Sequence, residues 1–148
     1  MGMGKTSQII ALLSIIFNKT GVESTDRMTL NQRKRDPDSC ERPALIIVPA
    51  SLIDNWFIEL NAWGYFDFHT LRKKKEREEV LEALKHRQIE GVVISYESMK
   101  GIIKELKKID FSVIIFDEAH RMKSLSTQVS TCLLAHLLTH LLTYLLTH

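Results

Sequence analysis

Val113-Ile114-Ile115-Phe116-Asp117-Glu118-Ala119-His120 joins four consecutive apolar residues to a pair of acids. Short apolar runs rich in Ile and Val read as strands covered on both faces, the habit of a parallel sheet. An acid at the carboxyl end of such a strand can hold Mg²⁺, directly or through water. A second acid beside it can orient or deprotonate an attacking water. Asp117 and Glu118 are therefore candidate metal and catalytic groups. A helix N-terminus that favours acids accounts for the same pair without chemistry.

Met1-Gly2-Met3-Gly4-Lys5-Thr6 stands at the other end of the same reading. Gly2 and Gly4 let backbone N–H groups close around phosphate oxygens, and the Lys5 ammonium reaches the outer phosphates. The Thr6 hydroxyl ligates Mg²⁺, while the following helix turns its positive end to the anion. The pattern GxxxxGK[ST] is incomplete here, because the chain starts three residues before Gly4. GKT alone is a weak signal. GKT opening a helix, followed about a hundred residues later by an acid pair after a strand, is the spacing of a nucleotide-driven motor lobe. A nucleoside triphosphate and Mg²⁺ are the expected ligands, with Lys5 joining Asp117 and Glu118 in the chemistry; at this point a P-loop kinase or a GTPase is the chemical alternative.

Between these ends, helical and strand patterns alternate, which predicts an α/β domain with a parallel sheet flanked by helices. Residues 6–18 read as a helix apolar nearly all round, hence buried against the sheet. Residues 21–43 are polar and carry Pro37, and read as a surface insertion or loop. Strands are expected at Ala44 to Val48, Phe66 to Leu71, Gly91 to Ser95 and Val113 to Phe116. Ser51 is expected to cap a helix with Leu52, Trp56, Leu60 and Trp63 on its buried stripe. Further helices are expected over 74–88 and 97–107. The two tryptophans read as core rather than as stacking platforms for bases.

The 148 residues are 45% apolar with a net charge of +2, enough for a packed core but too weakly basic to argue by charge for nucleic-acid binding. Arg33-Lys34-Arg35 and Arg72-Lys73-Lys74-Lys75 are candidate import or DNA patches, though Glu76, Glu78 and Glu79 beside the second make a solvated helix face its default reading. The apolar stretch from Ile9 to Phe17 is too short to span a bilayer, and no membrane partner is expected. Cys40 and Cys132 make no framework and read as reduced thiols.

The blocks MGMGKTSQ, LIIVPASLIDNW, ISYESM and VIIFDEAHRMKS, in this order, closely resemble motifs I, Ia, Ib and II of the Snf-type branch of helicase superfamily two. The stretch AWGYF looks most like the Cockayne-syndrome-B-related, excision-repair-like group. The resemblance covers Met1 to about Lys123. It implies a partial RecA-like first lobe over 1–124, lacking the P-loop strand and the motif III strand. It also implies a nuclear protein that binds ATP and hydrolyses it to translocate on double-stranded DNA or chromatin, working with a second RecA-like lobe. His120 would couple nucleotide state to that second lobe. Pro49, Ala50, Ser51, Ser95 and Tyr96 would face the DNA backbone, with an N-cap role for Ser51 and simple packing for Tyr96 as the plain alternatives.

Residues 125–148 depart from this pattern. They contain no Asp, Glu, Lys or Arg, and from Leu133 they repeat as LLAH, LLTH, LLTY, LLTH. Such low complexity reads as a tail foreign to the lobe. The repeat also explains the spacing of His136, His140 and His148 without a metal. With the second lobe and its arginine finger absent, a finger being worth roughly 10³ to 10⁵ in rate, the 148 residues alone are expected to be inactive. A nucleotide- or DNA-binding fragment without catalysis, or a non-functional fragment, are the alternatives.

Overall fold

The computed structural model describes residues 5–72 and 74–118. Its centre is a four-stranded parallel sheet in the order β2-β3-β1-β4, built from β1 (Ala44–Val48), β2 (Phe68–Thr70), β3 (Gly91–Ser95) and β4 (Val113–Phe116). The first residues of the strands share one row: Phe68 pairs with Gly91, Gly91 with Ala44, and Ala44 with Val113. β1 and β3 are buried at every residue, as their unbroken apolar runs require, whereas β4 is partly exposed along its length.

Side chains alternate across the sheet with a period of two and so feed two cores. Leu45, Ile47, Val92 and Ile94 point to the face covered by α4 (Lys74–Lys85), α5 (Tyr96–Lys100) and α6 (Ile103–Leu106). Ala44, Ile46, Val48 and Val93 point to the face covered by α1 (Lys5–Ile16) and α3 (Ile53–Trp63). The result is the layered α/β architecture expected of the alternating sequence.

Several expectations need correction. The helix α1 is not buried all round. Ile10, Leu13 and Phe17 line the core, but Leu12 is 48% and Ile15 76% exposed, because only one side of the helix meets the sheet. Residues 21–43 are not a loop. They form α2 (Glu23–Arg35) and a 3₁₀ turn, Pro37–Ser39. Polar anchors hold α2 in place. Asp26 is fully buried and accepts hydrogen bonds from the Thr20, Gly21 and Tyr65 N–H groups and the Thr20 hydroxyl. Arg33 is buried as well. It donates to the Glu41 and Arg87 carbonyls and lies over the Phe17 ring, so it is not part of a solvent-facing basic patch.

Ser51 does not cap α3. A 3₁₀ turn, Ala50–Leu52, precedes that helix, and no side chain caps it. Trp63 leaves the expected stripe and is 50% exposed, while Trp56 and Leu60 are in the core. β2 is shorter than expected, and the helix begun at Lys74 ends at Lys85. The helix expected over 97–107 is two short ones separated at Gly101 and Ile102; Gly101 keeps a right-handed helical backbone, and the chain leaves that geometry at Ile102, at φ −134° and ψ 14°. Among the described residues, no helix is long and apolar enough to cross a membrane.

Candidate functional site

The direction of α1 follows from its far end. The Phe17 ring, just past the helix, meets the Phe68 ring edge-on at a centroid distance of 6.2 Å. Lys19 pairs at 2.7 Å with Glu90, the residue before β3. Both contacts lie at the row where the strands begin. α1 therefore runs against the strands, and its N-terminal end, Lys5 and Thr6, points to their carboxyl ends. The lengths match: twelve helical residues span roughly 18 Å and five extended ones roughly 16 Å. Asp117 follows β4 at that same carboxyl edge.

The first turn of α1 contains no acid, so its positive end is not neutralised by its own side chains. Thr6 is half-buried. Gly2, Gly4, the Lys5 side chain, His120 and residues 125–148 lie outside the described residues, as do Lys73 and the Lys74 and Lys75 side chains of the second basic run.

Asp117 is held from three sides. Its N–H donates to the Ile47 carbonyl at 2.9 Å, extending the β1–β4 ladder by one rung. The Tyr96 hydroxyl donates to its carbonyl at 2.7 Å. The Trp56 indole Nε1–H donates to its Oδ2 at 2.9 Å. An ionised carboxylate has about four lone-pair positions, so one indole donor leaves acceptor capacity for a cation. Glu118 is exposed, and its φ of 53° puts the backbone in the left-handed region, turning the chain sharply after the sheet ends.

Among the described residues, no group of three or more His, Cys, Asp or Glu is arranged to hold a metal. A single half-buried carboxylate does not make a zinc or calcium cage. It does fit Mg²⁺, which keeps much of its water and is held by one or two protein oxygens together with substrate phosphates.

The five residues expected to face nucleic acid separate into two groups. Ala50 and Ser51 are exposed at the turn after β1, with Pro49 buried beneath them. Ser95 and Tyr96 turn inward. The Ser95 hydroxyl caps α5 by accepting from the Ser98 N–H at 3.1 Å and also donates to the Ser98 hydroxyl, while the Tyr96 ring is in the core and its hydroxyl is engaged by Asp117. The bonds of Trp56 and Tyr96 to Asp117 were not foreseen. Their apolar spacing explains burial, and only the polar tips of buried Trp and Tyr, which need partners, hinted at more.

Residues 1–144 match the model of the SNF2-related domain, a span that extends through most of the leucine-rich segment. The chain is 33% identical over 141 residues to the mouse (Mus musculus) DNA excision repair protein ERCC-6-like 2, covering 91% of this chain and 9% of that protein. It is 34% identical over 134 residues to Switch 2 of Arabidopsis thaliana, covering 90% and 15%. It thus spans a small part of the relatives it matches. Among solved structures, the Sulfolobus solfataricus SWI2/SNF2 ATPase core in complex with dsDNA aligns with a TM-score of 0.50 at 20% identity, over 84% of this chain and 26% of that one. At that identity the likeness bears on the fold, a RecA-like lobe.

Proposed function

Since the SNF2-related domain model covers nearly all of it, the chain belongs to that family, and from this premise we propose that it carries the nucleotide-binding face of an ATP-driven DNA translocase lobe. The direction of α1 supports the reading most. A helix that starts at Lys5-Thr6 and the strand that Asp117 follows both point to one edge of the sheet. Side chains 111 residues apart in sequence can then serve one ligand.

In this proposal the backbone around Gly2 and Gly4 and the Lys5 ammonium bind the phosphates of ATP. The Thr6 hydroxyl and the Asp117 carboxylate hold Mg²⁺. When bound, the ion neutralises phosphate charge and lowers the cost of charge moving to the leaving oxygen. Glu118 orients the attacking water and accepts its proton. His120 transmits the state of the site to a second RecA-like lobe. Ala50 and Ser51, above Pro49, meet a DNA backbone through amides and a hydroxyl, contacts that position without reading sequence. Ser95 and Tyr96 shape that face from beneath. A DNA or chromatin substrate implies work in the nucleus, in chromatin remodelling or repair.

The 148 residues alone are proposed to bind nucleotide without sustained hydrolysis. Translocation needs two lobes closing on ATP, and an arginine finger from the second supplies roughly 10³ to 10⁵ in rate. Equilibrium binding of a non-hydrolysable ATP analogue, with and without Mg²⁺, is paired with phosphate release in the presence of double-stranded DNA. Mg²⁺-dependent binding with little turnover is expected. No binding in either condition would sink the nucleotide reading. Strong DNA-stimulated turnover would overturn the claim of inactivity.

A further inference from the structure

The two bonds that hold Asp117 come from places with a common property. Trp56 is on α3, the helix entered from the exposed turn at Ala50 and Ser51, and its indole spans 61 residues of sequence to reach the Asp117 carboxylate. Tyr96 directly follows Ser95 at the end of β3, and its hydroxyl spans 21 residues to reach the Asp117 carbonyl. Both side chains are almost completely buried, at 1% and 3% exposure, so each donor reaches out of the core to a half-buried Asp117. One fixes the carboxylate's rotation and the other fixes the main chain that carries it.

We infer that Trp56 and Tyr96 are positioning residues for the metal-binding carboxylate of Asp117, and that they join it mechanically to the segments at 49–51 and 95–96. The inference rests on the nucleotide reading above and adds two residues to it. An indole N–H is a donor only. It therefore satisfies Oδ2 without neutralising the carboxylate, and it leaves the remaining oxygen directed elsewhere. Partners that orient a metal's ligands generally affect metal affinity by about 10- to 100-fold when removed. A displacement of the turn at Ala50-Ser51 or of the Ser95 cap has one hydrogen bond between itself and the metal ligand on each side.

The test uses the 148-residue chain, a non-hydrolysable ATP analogue and Mg²⁺. The quantity read is the gain in analogue affinity that Mg²⁺ brings. Trp56→Phe keeps an aromatic ring in the core and removes the donor, and is expected to cut this gain about tenfold while leaving Mg²⁺-free affinity unchanged. Tyr96→Phe, which removes one oxygen, is expected to cut it by a smaller factor. In an Asp117→Asn background neither substitution should reduce the gain further, because the carboxylate they orient is gone. A purely structural role predicts the other pattern, equal losses with and without Mg²⁺. That result, or a wild-type gain in both variants, overturns the inference. Should Trp56→Phe fail to fold, the wild-type chain supplies the second readout. Its Trp56 indole ¹⁵N–¹H resonance is expected to shift when analogue and Mg²⁺ are added together and not with analogue alone, and an unmoved resonance overturns the inference. Absence of analogue binding by the wild-type chain in both conditions instead overturns the nucleotide reading itself.

Discussion

The Nζ of Lys19 stands 2.7 Å from Oε1 of Glu90, and both side chains are sealed from water. The pair fastens the chain beyond α1 to the residue that enters β3. Burial pushes the Glu90 carboxyl above its ordinary range, and Lys19 opposes that rise by charge and hydrogen bond. Removing one partner of such a pair strands the other charge. Lys19→Met is expected to cost about 3–5 kcal/mol. Adding Glu90→Gln should recover most of it, since a neutral amide needs no counter-charge and can still accept from the Asp67 N–H. Urea midpoints at constant slope measure both steps. A double variant no more stable than the single one would show that the pair is not the cause.

Asp26 predicts an acid limit. Burial raises its carboxyl, but hydrogen bonds from Thr20, Tyr65 and Gly21 outweigh that, and the group sits below the usual aspartate value of 3.8. The unfolded chain therefore binds the proton more readily. The stabilisation is complete above 3.8 and disappears as pH falls through the lowered native value. Asp26→Asn, which cannot accept on both side-chain ends, is expected to lose about 1–3 kcal/mol at neutral pH and to flatten the stability profile in acid. Denaturation series from neutral to strongly acidic pH, on both proteins, compare the two slopes.

Two glycines predict opposite outcomes. A Cβ on Gly91 would lie 2.4 Å from the Ala44 carbonyl oxygen and 2.6 Å from the Phe68 ring. Gly91→Ala must push strands apart and is expected to cost at least about 1–3 kcal/mol. Gly101 has an ordinary right-handed backbone, and a Cβ there would lie 3.6 Å from the Ser98 carbonyl oxygen, an ordinary contact. Gly101→Ala is expected to stabilise by about 0.4–1 kcal/mol, because it restricts the unfolded chain. Thermal unfolding of the two variants side by side decides the matter.

The two sides of α1 can be told apart in the same way. Leu13 is fully buried, and its replacement by Ala should cost about 2–5 kcal/mol. Leu12 and Ile15 face outward, and Lys at either position should change stability by no more than about 0.5 kcal/mol. Large losses at Leu12 or Ile15 would favour the all-round burial that the sequence suggested.

Strands were the legible part of the sequence. β1 and β3 are buried at every residue, and burial on both faces marks a strand with apolar residues whatever surrounds it, while the partly exposed β4 shows the same mark in its run VIIF. α2 was hidden for the converse reason. Its hold on the domain is through the carboxylate of Asp26 and the guanidinium of Arg33, and hydropathy counts both as surface residues. The break at Gly101 was hidden because Met99, Ile102 and Leu106 keep helical spacing across it and are all buried. The position of Asp117 at the carboxyl edge of the sheet could be read from the apolar run before it. The indole bond to its carboxylate could not, because that contact joins residues 61 apart in sequence through tertiary packing, which no local pattern encodes.

The fastening of α1 has a mechanical consequence. Phe17 and Lys19 clamp the helix at the end away from the proposed phosphates, so a tilt there is carried along its length to the other end. A beam roughly 18 Å long that tilts by ~5° at its root carries its tip ~1.6 Å sideways, and ångström-scale misplacement near reacting groups can cost on the order of a hundredfold. Damage to the clamp should thus appear first as lost aim at the loaded tip, in chains that still fold.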